Sequence, residues 1–271
     1  SPDTCDWRCQ CQSRSCSVTF IMVAPNGARR TTLDHPAVPV TDQDLVQTAV
    51  ACFEAGARGI HAHIRTNDQL HLLDVERYET LITQLHSRVP ALSVQVTSEA
   101  AGIYEAEAQI DLLARIQAPW VSVAIREILR AQEPRALTAF FAELLAKTRV
   151  QFILYDADDL KTLTALVDQG IIQTTSLEVL YVLGRYSKDQ ESTPDQLDPF
   201  LTTRDAQPKE LRPMREMICA FGRGQIPCLL RAASEGMDLR IGFENGIWLP
   251  DGTIASDNAD LVRTLVDLLP H

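Results

Sequence analysis

Residues 41–65 read TDQDLVQTAVACFEAGARGIHAHIR, and the fold is read from this stretch. Thr41 stands where an N-cap belongs, and Leu45, Ala49, Val50 and Phe53 then fall on one face at helical spacing. Gly56 is the residue type that closes a helix, and the short run 58–64 that follows (RGIHAHI) alternates in the manner of a strand. A helix that ends on glycine and passes straight into a strand is half of a βα repeat. The same alternation continues on both sides.

Strands are predicted at 18–24, 58–64, 92–98, 120–125, 150–156, 176–184, 217–222 and 238–245. Helices are predicted at 42–56, 74–88, 105–117, 135–147, 158–169, 225–236 and 258–269. Eight interleaved runs over about 250 residues, several almost continuously apolar, predict an α/β chain closed into a parallel (β/α)8 TIM barrel rather than an open sheet. The sector 185–215 is polar, marked by prolines and longer than an ordinary connection, so it is expected to pass over the active-site face.

Cys5, Cys9, Cys11 and Cys16 crowd the first 16 residues without the paired CxxC knuckles of zinc modules. Residues 1–16 are therefore expected to form a disordered or extended, redox-sensitive tail, with 17–271 as one catalytic barrel domain. Cys52, Cys219 and Cys228 sit singly in apolar segments and read as buried free thiols. The chain has 271 residues, 36 acidic and 25 basic, for a net charge of −11, and no local basic stripe offsets that excess. A nucleic-acid partner is not expected. Neither a membrane span nor a signal-type apolar stretch is visible, which makes a cytoplasmic protein the expectation. Glycine-rich dinucleotide and P-loop signatures are absent from the sequence.

Chemistry concentrates at the strand ends. His61 and His63 alternate on the second strand, so both imidazoles face the same way and can converge on one ion; a hydrogen-bonded pair of core histidines is the alternative. Glu244, ending the eighth strand, is two strands away and can complete a two-His, one-carboxylate set, or it can pair with Arg240 or Arg65 instead. Arg240, four residues before Glu244, faces inward and needs an anion. Thr97 and Ser98 close the third strand, where a hydroxyl can serve the site or merely form the turn.

These features come together in a resemblance. NGARRTTLDHPAVPVTDQDLVQTAVACFEAGARGIHAHIR (26–65), VQVTS (94–98), GRGQIP (222–227) and LRIGFENGIWLPDGTIASDNADLV (239–262) resemble the β-keto acid cleavage enzymes, over about 18–269. The resemblance implies a zinc-dependent (β/α)8 barrel and a homo-oligomer, tetramer or dimer. It further implies a reaction between a β-keto acid and acetyl-CoA that yields acetoacetate and a new acyl-CoA. By motif it assigns zinc to His61, His63 and Glu244, catalytic roles to Arg240 and Thr97, and the neighbourhood of the CoA thioester to Gly222, Arg223 and Gln225.

The chain also departs from that pattern. Asn245 stands where the family has Asp, and an amide takes up no proton at neutral pH. Arg29 replaces a Glu of the loop after the first strand, which would repel an ammonium-bearing substrate and favour a second carboxylate. Ser98, Glu99 and Ala100 replace a glycine pair, and 124–127 (AIRE) replaces Asn-x-Gly-Thr. Glu99 or Glu127 is expected to supply the missing carboxylate, with Arg29, Ser98 and Asn245 lining the substrate. The alternatives are a related zinc-dependent lyase or hydrolase, and a non-catalytic metal- or ligand-binding protein.

Overall fold

Ten strands appear in the computed structural model, which describes residues 19–130 and 134–270. They are β1 (Ile21–Val23), β2 (Gly59–Ala62), β3 (Ile64–Arg65), β4 (His71–Leu72), β5 (Ser93–Thr97), β6 (Trp120–Ala124), β7 (Arg149–Leu154), β8 (Glu178–Leu183), β9 (Arg215–Ala220) and β10 (Asp238–Ile241). Eight of them close into a parallel barrel in the order β1-β10-β9-β8-β7-β6-β5-β2, with β2 returning to β1; β3 and β4 form a separate hairpin. Register is tight at the seam, where Met22 lies between Arg240 on one side and Gly59 on the other. The (β/α)8 barrel expected from the sequence is thus the fold. The cysteine-rich segment 1–16 lies outside the described residues.

The helices are α1 (Asp42–Ala55), α2 (Val75–Arg88), α3 (Ala106–Arg115), the single turn α4 (Ile125–Ile128), α5 (Pro134–Lys147), α6 (Ala157–Asp168), α7 (Asp198–Ala206), α8 (Gln225–Ser234) and α9 (Asn258–Leu268). Local chemistry sets their ends. Thr41 and Asp44 form a reciprocal capping box at α1, and Gly56 closes it with φ 122°. Asp74, Asp156 and Asp257 cap α2, α6 and α9 through their side chains.

One sector differs from expectation. Only the first part of 185–215 crosses the barrel mouth, where Arg185 and Gln190 line the cavity. Residues 198–206 form α7, which buries Phe200 with its ring 4.5 Å from Tyr181 on β8 and serves as a wall helix. Its polar composition hides it: one apolar anchor suffices to hold a two-turn helix whose other faces meet water.

Two apolar cores follow from the closed sheet. The larger fills the space between strands and helices; the smaller, inside the barrel, contains Met22, Trp120, Leu180, Met217 and Cys219. At the N-terminal end Phe20 stacks edge-on against Trp120 at 6.2 Å, and Arg149 lies 3.8 Å over the same indole while pairing with Glu178 at 2.7 Å. Arg215 pairs with Asp238 beside them. This end is filled, so access is from the C-terminal rim. Cys52, Cys219 and Cys228 are buried free thiols. Among the described residues no helix is long and apolar enough to cross a membrane.

Truncating Phe200 tests whether α7 belongs to the wall. Phe200→Ala is expected to lower unfolding free energy by about 3 kcal/mol in urea titrations; a loss below about 1 kcal/mol would show that 198–206 carries little packing energy.

Candidate active site

His61 is the penultimate residue of β2 and His63 lies just beyond the strand's last residue, so the two-residue period turns both rings to the barrel mouth. Their Nε2 atoms are 3.1 Å apart. Glu244 enters from the turn after β10 with Oε2 3.7 Å from His61 Nε2 and 3.6 Å from His63 Nε2. The three candidate ligand atoms lie within 4.8 Å of one another.

The tautomer of His61 is set from below. Gln151 Nε2 donates to Met217 Sδ at 3.7 Å, Gln95 Nε2 donates to Gln151 Oε1 at 3.1 Å, and His61 Nδ1–H therefore donates to Gln95 Oε1 at 2.7 Å. His61 Nε2 is left with a lone pair facing the cavity. Burial first, and then the charge of Arg240, hold His61 down at about 3; burial, then His61 itself, keeps His63 well below the usual imidazole range. Both rings are neutral, the state in which imidazole binds a metal.

Glu244 divides its carboxylate. Oε1 accepts from Arg240 Nη2 at 3.0 Å, whereas the buried Oε2 has no hydrogen-bond donor. If His63 Nε2–H donated to His61 Nε2 the two facing nitrogens would be satisfied, but His63 Nδ1 would stay unpartnered and Glu244 Oε2 would still face two nitrogens with nothing between. A divalent cation resolves all three atoms at once, so the residues present fit a metal. Gly27 makes room for this carboxylate: its φ is 63°, and a Cβ there would lie 2.5 Å from Glu244 Cγ. Arg65 fixes that glycine by donating to the carbonyls of Gly27, Arg30 and Gln69.

A cavity of about 230 Å³ opens over these atoms. Thr97, Glu99, Arg29 and Arg240 line it. Thr97 Oγ1 accepts from Glu99 N at 3.0 Å. Glu99 Oε1 accepts from Arg29 Nη1 at 2.9 Å, and Oε2 approaches His63 Nε2 at 4.0 Å. Arg29 is thus already paired and does not wait alone for a substrate carboxylate.

Other predicted residues lie apart. Ser98 Oγ donates to Ser122 O, and Glu127 Oε2 accepts from Ala100 N and Gln109 Nε2, so Glu127 braces the turn after β5 from behind. Gln225 is buried and bridges two backbones, accepting from Gly242 N and donating to Gly246 O. Gly222 packs its backbone under Glu191, and Arg223 is exposed with its guanidinium 5.0 Å from the Trp248 ring centroid. Asn245 is fully buried with both amide atoms unpartnered.

Sequence reading passed over several neighbours. His71, on the β3–β4 hairpin, stacks 5.1 Å from His63 and donates Nε2–H to Glu99 O at 2.8 Å. Gln95, a polar residue in register beside His61, carried a visible signal in the strand alternation. Asn26, Tyr155 and Arg185 gave none, because loop approach and mouth packing place them.

The barrel gathers these side chains at the C-terminal ends of its strands, the face where enzymes of this fold carry their chemistry. The sequence profile of the beta-keto acid cleavage enzyme family matches residues 19–271, and the chain belongs to that family. It is 25% identical, over 92% of its length and 90% of the relative, to 3-keto-5-aminohexanoate cleavage enzyme of Acetoanaerobium sticklandii. Over 79 residues, 29% of this chain and 28% of the other, it is 32% identical to 3-oxoadipate:acetyl-CoA acetyltransferase of Cupriavidus necator. The apo structure of ObcA superposes with a TM-score of 0.64 at 14% identity, covering 86% of this chain but only 61% of that one, and shows the fold alone.

Because Gln95 sets the His61 tautomer, Gln95→Leu is expected to weaken about 10- to 100-fold the hold of these residues on any divalent ion that they bind. A chromogenic chelator competition reads this directly; unchanged affinity would remove Gln95 from the metal's support.

Proposed function

We propose that this protein exchanges acyl groups between a β-keto acid and acetyl-CoA, releasing acetoacetate and a new acyl-CoA, with zinc held by His61, His63 and Glu244. The observation that carries the reading is the unpartnered Glu244 Oε2 aimed at two neutral imidazole nitrogens in the open end of a barrel. Two histidines and one carboxylate leave a position open for a substrate oxygen, and a zinc ion so held supplies Lewis acidity to a keto group.

The surrounding side chains divide the remaining work. Arg240, buried and with Nε and Nη1 unpartnered, holds the substrate carboxylate beside the ligands. Thr97, whose oxygen already accepts from Glu99 N, turns its own proton to the cavity and donates to an oxygen there. Asn245 cannot act as a base, and of the two carboxylates weighed from the sequence Glu99 is the one at the cavity. Glu99 therefore takes the proton from the keto acid's C2 onto its own carboxylate and returns it to a product carbon. The exposed Arg223, stacked near Trp248 at the rim, offers its charge to the phosphates of CoA.

Purified protein is expected to contain about one zinc per chain, to lose it in His61→Ala, and to form acetoacetate from acetyl-CoA and a keto-acid panel in a chelator-sensitive manner. Metal-free, chelator-indifferent protein would overturn the zinc reading, and bound zinc without acetoacetate from any panel member would favour carbonyl chemistry that does not use CoA. Glu99→Gln should lower kcat about 100-fold or more, whereas Glu127→Gln should stay within about threefold and lower stability instead. Equal losses in the two variants would deny Glu99 its proton.

A further inference from the structure

The charges lining the cavity do not balance, and the surplus is local. Arg240 is matched by Glu244 at 3.0 Å, and Arg30 faces Asp34. Arg29 and Arg185 are left to share one carboxylate, Glu99, which sits 2.9 Å from Arg29 Nη1 but 4.0 Å from Arg185 Nη2. Arg185 follows β8 into the mouth loop, and its side chain is only 15% exposed. Among the described residues its guanidinium makes no hydrogen bond; it lies 5.5 Å from the Phe221 ring centroid and shares the cavity wall with Tyr155. A largely buried guanidinium without a hydrogen-bonded anion is costly and calls for one.

We propose that Arg185, with Arg29, binds a second carboxylate of the substrate, so that the preferred substrate is a β-keto dicarboxylic acid. This rests on the acyl-exchange reading and specifies its substrate. Glu99 links the two ends of the cavity: Oε2 lies 4.0 Å from His63 Nε2 and Oε1 4.0 Å from Arg185 Nη2. The guanidinium therefore stands within about 10 Å of the histidine pair, a span for a short aliphatic acid whose keto end meets the histidines and whose far carboxylate meets Arg185. An ammonium at that far end would face two guanidiniums. The phosphates of CoA carry the same negative charge, but they belong to a bulky carrier that fits the exposed Arg223 and Trp248 at the rim better than the inward Arg185 in a cavity of about 230 Å³.

The test compares 3-oxoadipate with its uncharged-end counterpart 3-oxohexanoate, each with acetyl-CoA, in the zinc-loaded protein and in Arg185→Gln and Arg185→Lys. The protein should favour 3-oxoadipate in kcat/KM. Arg185→Gln should cut the diacid-to-monoacid ratio at least tenfold through KM for the keto acid, with partial recovery in Arg185→Lys. A preference for 3-oxohexanoate, a ratio unmoved by Arg185→Gln, or a rise confined to KM for acetyl-CoA would each overturn the proposal. A binding arm separates it from the activity itself: adipate should raise the melting temperature more than hexanoate does, and Arg185→Gln should erase that difference while keeping its zinc. No acyl exchange with any keto acid, together with this adipate effect, would sink the proposed function and leave the carboxylate site standing; equal effects of the two acids would sink the site.

Discussion

The site depends on how one carboxylate is shared. Glu244 gives one oxygen to a buried guanidinium and keeps the other free before two imidazoles. Neither half works alone. Without Arg240 the carboxylate would be buried with no compensating charge, and without the histidines its second oxygen would have no reason to stay out of water. Much of the surrounding loop structure keeps this arrangement in place. Gly27 clears the volume the side chain occupies, Arg65 pins that glycine through its carbonyl, and Asn26 donates to the carbonyls of His63 and Pro39 from the same loop.

The barrel supplies the positions. A parallel strand alternates its side chains strictly, so His61 and Gln95, paired across β2 and β5, meet inside the cylinder, and Gln151 extends the row to Met217. The result is a polar line through an otherwise apolar interior, ending on a sulfur that needs no further partner. Below the imidazole each link of the row is hydrogen-bonded to the next, which is the condition under which a buried polar row orders a core rather than weakening it.

Most of the architecture was legible because periodicity and caps are local. Thr41, Gly56 and the apolar face between them announce α1 without reference to anything distant. His61, His63 and Glu244 were legible for a related reason, since strand alternation and barrel closure predict where they point. Features that depend on charge pairing across loops were not. Arg29 reads from sequence as a free cation, yet the carboxylate of Glu99, seventy residues away, meets it. Glu127 reads as a strand-end acid, yet the single turn of α4 rotates it behind the loop to hold Ala100 and Gln109. Helix α7 escaped notice because a lone buried phenylalanine gives no period.

The filled base of the cylinder carries a further consequence. With Phe20, Trp120 and the pairs Arg149–Glu178 and Arg215–Asp238 stopping the lower end, the described residues leave no back door. Two reactants that meet on these side chains arrive through a single opening, one above the other. Under the proposed acyl exchange, the later arrival would act as a stopper that covers its predecessor, shields it from water and leaves before it.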